Sequence, residues 1–221
     1  MDIITQNFDV LMQGTLETLY MVFVSTFLAY VFGLPLGIAL VVTEPDGIMP
    51  SKQIANVLGT IVNITRSVPF IILLIAIIPF TRLVVGTTIG VNAAVVPLVV
   101  AAIPFVARLV ESSLKELNQG IIEAAISMGC SNFQIIYKVM IPEAMPSLVL
   151  GSSITTITLV GYSAMAGAIG SGGLGDIAIR FGYYRYETGL MVVTIVLLVI
   201  IVQLIQFAGN RGSKRIDKRN R

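Results

Sequence analysis

The stretch Glu123-Ala124-Ala125-Ile126-Ser127-Met128-Gly129, followed later by Pro142, lies in the only long polar interval of a strongly apolar chain. Small alanines beside a carboxylate, and then a glycine, are typical of a surface helix that ends abruptly and that another protein can approach closely. Because apolar runs flank this interval on both sides, the stretch predicts a docking element outside the membrane.

The composition of the chain predicts an integral membrane protein. Of its 221 residues 56% are hydrophobic and only 12% are charged, whereas soluble domains contain roughly 25% charged residues. Crossing a hydrocarbon core of about 30 Å takes about 20 helical residues. The runs are continuously apolar, which favours an all-α membrane bundle over a β-barrel. We predict about five transmembrane helices, near Leu19–Val42, Val57–Ile78, Val91–Val110, Leu148–Gly167 and Gly189–Phe207.

Basic residues predict the orientation of these spans, because Lys and Arg near span ends are retained in the cytoplasm. The tail, residues 210–221, carries Arg211, Lys214, Arg215, Lys218, Arg219 and Arg221. We therefore expect the carboxyl terminus in the cytoplasm and, with an odd number of spans, the amino terminus outside. The first span is expected to remain in the mature protein, because no Lys or Arg precedes it.

The polar interval, residues 111–143, is predicted to form two short amphipathic helices. Asn118 can cap the first helix, and Gly129 can close it in the left-handed conformation. Ser131 and Gln134 have the spacing of a capping box, and the second helix is expected to end at Pro142. Composition alone leaves open whether these helices contact lipid headgroups or a protein partner.

The residue types that carry chemistry are scarce. Cys130 is the only cysteine and there is no histidine, so internal disulfides are excluded and a Cys/His metal or haem site is not expected. The sequence has no phosphate-binding Walker motif and no catalytic constellation. We therefore expect no catalytic residues, no metal and no cofactor. The basic tail is interpreted as an orientation signal and lipid contact rather than as a nucleic-acid site.

The glycine-rich segment Gly167–Gly175 is expected to form a re-entrant or external loop, because so many glycines do not sustain a stable helix. The preceding span contains small and hydroxyl-bearing residues that permit close packing between helices.

At this point a family resemblance is visible. The series Glu123-Ala124-Ala125, Gly129, Val139 and Ile141-Pro142 resembles the coupling motif of the membrane subunits of ATP-binding-cassette (ABC) importers with the type I fold. That family more often has Ile and Leu where this chain has Val139 and Ile141, which is a conservative difference. Further segments resemble the permeases of methionine importers over nearly the whole chain: Arg66–Leu74, Val160–Met165, Gly172–Gly175 and Leu204–Arg211.

The resemblance implies a single transmembrane permease domain over residues 1–221, with a coupling loop over about 111–143 and a basic cytoplasmic tail over 210–221. It implies a homodimer in the cell membrane that encloses one path and is not itself an enzyme. Each copy would dock into an ABC ATPase subunit of the MetN kind. The docking residues it implies are Glu123, Ala124, Ala125, Ser127, Met128 and Gly129.

An external substrate-binding protein of the MetQ kind would deliver L-methionine, and also D-methionine or derivatives. ATP binding by the partner would draw the docked helices together and open the permease outward, and hydrolysis would reset it inward. We interpret Tyr162, Ser163 and Met165 as residues that line or gate the path, although ordinary core packing stays open for Tyr162 and Met165.

Two alternatives remain at this stage. Within the same class, the substrate could be another amino acid or a short peptide, since specificity in such importers is largely set by the external binding protein. In a different class, the chain could be an autonomous secondary transporter or channel, which the lack of carboxylates inside the spans disfavours.

Overall fold

The computed structural model describes residues 5–217, and within this range it contains helices and no strand, which confirms the all-α prediction. The α-helices are α1 Phe8–Val42, α2 Lys52–Ser67, α3 Phe70–Ala76, α4 Ile78–Val85, α5 Val91–Lys115, α6 Gln119–Ser127, α7 Asn132–Gln134, α8 Ile141–Gly167, α9 Gly173–Ile177 and α10 Thr188–Ile216. Two segments are π-helical, Ile135–Met140 and Ala178–Tyr183. Lys218, Arg219 and Arg221 of the predicted basic tail lie outside the described residues.

Four helical stretches are long and apolar enough to cross a membrane: α1, α5, the stretch Asn132–Gly167 and α10. A fifth crossing is formed by α2 and α3 if they are taken together as one broken span. The expected number of spans is thereby confirmed.

The second predicted span, Val57–Ile78, is not a single helix. It breaks between α2 and α3, whose axes are bent by 100°. Proline has no N–H to donate, and its ring disfavours the helical conformation in the residue before it. Val68, which precedes Pro69, accordingly has φ −82° and ψ 122°.

Helices α1 and α5 approach each other closely at two glycines of α1. A Cβ atom placed on Gly37 would lie 2.6 Å from the carbonyl oxygen of Ala107. One placed on Gly33 would lie 2.8 Å from Cβ of Val106. Since real Cβ atoms do not come so near a neighbouring helix, only glycine permits this contact, which is the small-residue packing typical of membrane helices.

A charged network fixes one end of the bundle. Lys115 Nζ lies 2.6 Å from Oε1 of Glu44 and 2.9 Å from Oε1 of the buried Glu111. Arg108 pairs with the other oxygen of Glu111 and donates to Oδ1 of Asn63 at 2.7 Å. Two cations therefore compensate the buried carboxylate. The network ties α2 and the α1–α2 connection to α5, immediately before α6 begins.

At the opposite end, the prediction of a loop throughout Gly167–Gly175 is wrong, because α9 begins at Gly173. The carboxylate of Glu17 accepts a hydrogen bond from the Gly173 N–H at 2.7 Å, and the Thr18 hydroxyl accepts one from the Leu174 N–H at 2.9 Å. These bonds satisfy N–H groups that have no partner within the helix. A Cβ on Gly175 would lie 2.4 Å from Cα of Ala164, so this glycine serves close packing.

We expect Gly37→Ala to lower the melting temperature of the protein. Alanine gains up to about 1 kcal/mol in helix propensity, but the new methyl group would meet a backbone carbonyl, and overpacking costs about 1–3 kcal/mol. Gly59→Ala is the matched control, because its Cβ would approach only Nη2 of Arg108, at 4.0 Å.

The measurement is the fraction of purified protein that remains monodisperse by size-exclusion chromatography after heating in detergent. The control is expected to melt at or above the temperature of the unaltered protein. A Gly37→Ala variant that melted equally high would contradict the close contact between α1 and α5.

Candidate functional site

Helix α6 is the first half of the candidate docking element, and its ends are those predicted from the sequence. The Asn118 side chain accepts a hydrogen bond from the Gly120 N–H at 2.9 Å and so caps the amino-terminal end. Gly129 has φ +77°, the left-handed conformation that closes a helix. The buried side chains Ile122 and Ala125 hold α6 against the protein.

Most of the predicted coupling residues are accessible to a partner. Ala125 is only 1% exposed and therefore anchors α6 rather than contacting another protein. The remaining five are exposed: Glu123, Ala124, Ser127, Met128 and Gly129.

The same element exposes large apolar side chains that were not assigned to docking from the sequence. Phe133 is 74% exposed, and Tyr137 and Ile126 are also exposed. The rings of Phe133 and Tyr137 are nearly parallel, with centroids 6.2 Å apart. Their spacing of four residues would have identified them as neighbours on one helix face. We give the name coupling surface to the exposed predicted docking residues and the exposed large apolar residues beside them: Glu123, Ala124, Ile126, Ser127, Met128, Gly129, Phe133 and Tyr137.

The second predicted helix begins as expected but does not end at Pro142. The capping box is present, with the Ser131 N–H donating to Oε1 of Gln134 at 2.8 Å and the Gln134 N–H donating to Oγ of Ser131 at 3.4 Å. The helix then continues without a break from Asn132 to Gly167. The N–H of Ile141 bonds to the carbonyl of Ile136, five residues earlier, and this wider π turn accommodates the proline that follows.

The three candidate path residues differ in their burial and in their contacts on α8. Ser163 is buried, and its hydroxyl donates to the Val160 carbonyl of the same helix at 2.8 Å. The ring of Tyr162 stacks on Phe70 at the start of α3, with centroids 4.3 Å apart and 4° between the ring planes. Met165 is 41% exposed. The structure therefore brings Tyr162 to the broken span and leaves Met165 on the surface.

Met165 belongs to an accessible strip along α8 that also contains Ile154, Thr158 and Gly161, at helical spacing. Ile154 is exposed, and a Cβ placed on Gly161 would meet no atom within 4 Å. The Thr158 hydroxyl donates to the carbonyl of Ile154 in its own helix at 2.9 Å. In the single chain this strip is open, so a second copy of the chain, a transport path or lipid can lie against it.

Within residues 5–217, no group of three His, Cys, Asp or Glu residues lies close enough together to hold a metal ion. What the described chain offers at this site is an exposed surface at one end of the bundle, joined to an accessible strip by the continuous helix Asn132–Gly167.

Comparisons with known proteins agree on one family. Residues 33–221 match the family described as binding-protein-dependent transport system inner membrane component. The probable D-methionine transport system permease protein MetI of Vibrio cholerae serotype O1 is 50% identical over 213 residues, covering 96% of this chain and 95% of that protein. The D-methionine transport system permease protein MetI of Escherichia coli strain K12 is 54% identical over 157 residues, covering 71% and 72%.

Solved structures give the same result. A structure of the MetNI methionine ABC transporter in an inward-facing conformation matches with a TM-score of 0.95 and 51% identity, covering 96% of this chain and 99% of that chain. An amino acid ABC transporter crystallised with histidines matches with a TM-score of 0.75 over 96% of each chain, at 21% identity, and this match shows the fold alone.

We expect Tyr162→Ala to destabilise the protein and Met165→Ala to leave its stability nearly unchanged. Loss of the stacked ring removes an aromatic pair worth about 0.5–1.5 kcal/mol beyond its buried area, whereas substitutions at exposed positions usually stay within about 0.5 kcal/mol. Tyr162→Phe is the control, because it keeps the ring. Melting temperatures of the purified variants measure the difference, and an equal loss for Met165→Ala would place Met165 in the core.

Proposed function

This chain belongs to the family of binding-protein-dependent transport system inner membrane components, and on that premise we propose that it carries L- and D-methionine into the cytoplasm. It is a multi-pass inner-membrane permease subunit of an ABC importer with the type I fold, which confirms the family resemblance seen in the sequence. The observation that supports methionine as the substrate is the 50% identity to a D-methionine permease over nearly the full length of both chains.

We place ATP hydrolysis in a separate subunit of the MetN kind that binds the coupling surface. Patches of exposed apolar side chains are typical of protein interaction sites, and the coupling surface includes Met128, Phe133 and Tyr137. Because Asn132–Gly167 is one continuous helix, a displacement of the coupling surface is carried directly to the strip around Met165. The inferred mechanism is a rigid-body movement of packed helices driven by the partner.

The proposed assembly is a homodimer whose two copies enclose a path bordered by the accessible strip of α8. An external substrate-binding protein of the MetQ kind would release methionine into this path at the end where α9 lies. Met165 is the thioether on the strip, and a polarizable, apolar side chain of this kind suits a thioether ligand. Tyr162 supports the path wall through its contact with Phe70, and the self-bonded hydroxyl of Ser163 gives this residue a packing role.

The proposed orientation keeps the carboxyl terminus and the coupling surface in the cytoplasm and the amino terminus outside. Ser213 donates a hydrogen bond to the carbonyl of Pro146 at 2.8 Å, and Ser147 bonds to Ser113 at 2.8 Å. These bonds join the end of α10 to the coupling end of the bundle. Arg211, Lys214 and Arg215 therefore share one side with Lys115, as the preference for cytoplasmic basic residues requires.

The substrate is tested by accumulation of radiolabelled L-methionine at low external concentration, in cells whose other methionine routes have been removed. We expect loss of uptake when this gene is deleted, rescue by its restoration, and competition by unlabelled D-methionine but not by histidine. If an unrelated amino acid competed equally well for the restored uptake, methionine would not be the specific substrate. The assignment to an ABC importer would be unaffected.

Docking is tested at Gly129. A Cβ at this position would meet no atom within 4 Å, so the left-handed backbone rather than lack of space selects glycine. We expect Gly129→Val to reduce co-purification of the ATPase and ATP-driven uptake, because a β-branched residue is strongly disfavoured at positive φ and the conformation costs about 1–2 kcal/mol.

The control at the same position is Gly129→Asn, since asparagine adopts the left-handed conformation more readily. It is expected to retain most of the bound ATPase. If the valine variant bound the ATPase as well as the unaltered protein does, the helix end at Gly129 would have no part in docking.

A further inference from the structure

An open apolar groove runs along the surface of the bundle between α1, α8 and α10. It has a volume of about 650 Å³. Its walls are mostly large aliphatic and aromatic side chains: Leu19, Phe23, Leu197, Ile200, Leu204 and Ile205. The groove is separate from the coupling surface and from the strip around Met165.

The few hydroxyl groups in the groove have no need of a polar ligand. Thr15 donates to the Leu11 carbonyl at 2.7 Å, and Ser152 donates to the Val149 carbonyl at 2.7 Å. Thr156 donates to the carbonyl of Ser152 at 2.6 Å. Ser153, the remaining hydroxyl in the lining, donates to the Val149 carbonyl at 3.3 Å. These hydroxyl donors are thus satisfied within their own helices, so an apolar occupant leaves none of them without an acceptor.

Along α10, the groove is followed by a cluster of cations at the end of the helix. Arg211 and Arg215 follow Leu204 and Ala208, respectively, by seven residues, which places them on the same face of the helix. At 1.5 Å per residue they lie about 5 and 10 Å beyond Ala208 along the helix. Together with Lys214 and Phe207 they border a second, adjoining depression.

These cations have their charge available for a ligand. Within residues 5–217, none of Arg211, Lys214 and Arg215 forms an ion pair or donates a hydrogen bond. All three are exposed, and the guanidinium of Arg211 lies over the ring of Phe207, 6.0 Å from its centroid. An apolar groove followed by three cations that form no ion pair with the described residues is complementary to a molecule with a long hydrocarbon chain and a phosphate.

We propose that this groove is a binding site for an anionic phospholipid, with one acyl chain between α1, α8 and α10 and the headgroup phosphate on Arg211 and Arg215. A phospholipid supplies the apolar and the anionic part in one molecule, at the depth where the groove meets the cations. The placement of the site in the inner leaflet rests on the proposed orientation. Lipid binding at the site is independent of which substrate the importer carries.

The test uses the full importer, purified with its ATPase, stripped of lipid and analysed by native mass spectrometry. The probes are phosphatidylglycerol and phosphatidylcholine with identical acyl chains. We expect phosphatidylglycerol to bind more tightly, and the double variant Arg211→Gln, Arg215→Gln to weaken that binding about 30-fold, since each cation near an anionic lipid adds a substantial electrostatic attraction. Phosphatidylcholine binding should change little.

Two further variants keep the test decisive. Lys52→Gln combined with Arg82→Gln removes the same charge from exposed positions away from the groove, and it should leave phosphatidylglycerol binding unchanged. Ala208→Phe fills the groove without altering charge, and it should weaken binding of both lipids.

Three outcomes would overturn the proposal. Equal binding of the two lipids would remove the role of the headgroup, and unaltered binding in the Arg211, Arg215 variant would remove these residues from the site. A change in the number of permease copies in the Ala208→Phe variant would show that a second copy, not a lipid, occupies the groove.

Discussion

The close contact of α1 and α5 at Gly33 and Gly37 is the constraint on which the rest of the bundle depends. Lipid supplies no hydrophobic force between helices, so the two helices are held by close packing, which any side chain larger than glycine would prevent. With α5 fixed in this way, Arg108, Glu111 and Lys115 meet Glu44 and Asn63 at one end. The coupling surface begins immediately after this network and therefore has a rigid support.

Several hydroxyl groups within the apolar region form hydrogen bonds inside their own helix. The hydroxyls of Thr155, Thr156 and Ser163 in α8 donate to carbonyls of their own helix. These residues can therefore face either the core or an apolar groove without needing a partner on a neighbouring helix. The helix break at Pro69 is followed directly by Phe70, whose ring stacks on Tyr162 of α8. A membrane span that is interrupted thus remains attached to α8, the helix that also carries the accessible strip.

The features that could be predicted from the sequence are those that depend on neighbouring residues. Apolar run lengths gave the spans, and Asn118, Ser131 and Gly129 gave the ends of the docking helices, because caps form between residues two to four positions apart. The start of α9 could not be predicted, since its cap comes from Glu17, which is 156 residues away in the chain. Ser163 is buried and Met165 is exposed, and this difference likewise depends on which helices pack against α8.

The π-helical segment Ile135–Met140 has a consequence for how the two functional surfaces are oriented. A π turn contains one residue more than the α-helical turn it replaces, and each residue of an α-helix turns the chain by about 100°. The segment therefore sets the angle about the helix axis between Phe133, on the coupling surface, and Met165, on the strip. In evolutionary terms, the π turn absorbs one extra residue. Deleting a residue here would restore a regular α-helix with the strip facing nearly its present direction, whereas the same deletion between this segment and the strip would turn the strip about 100° away.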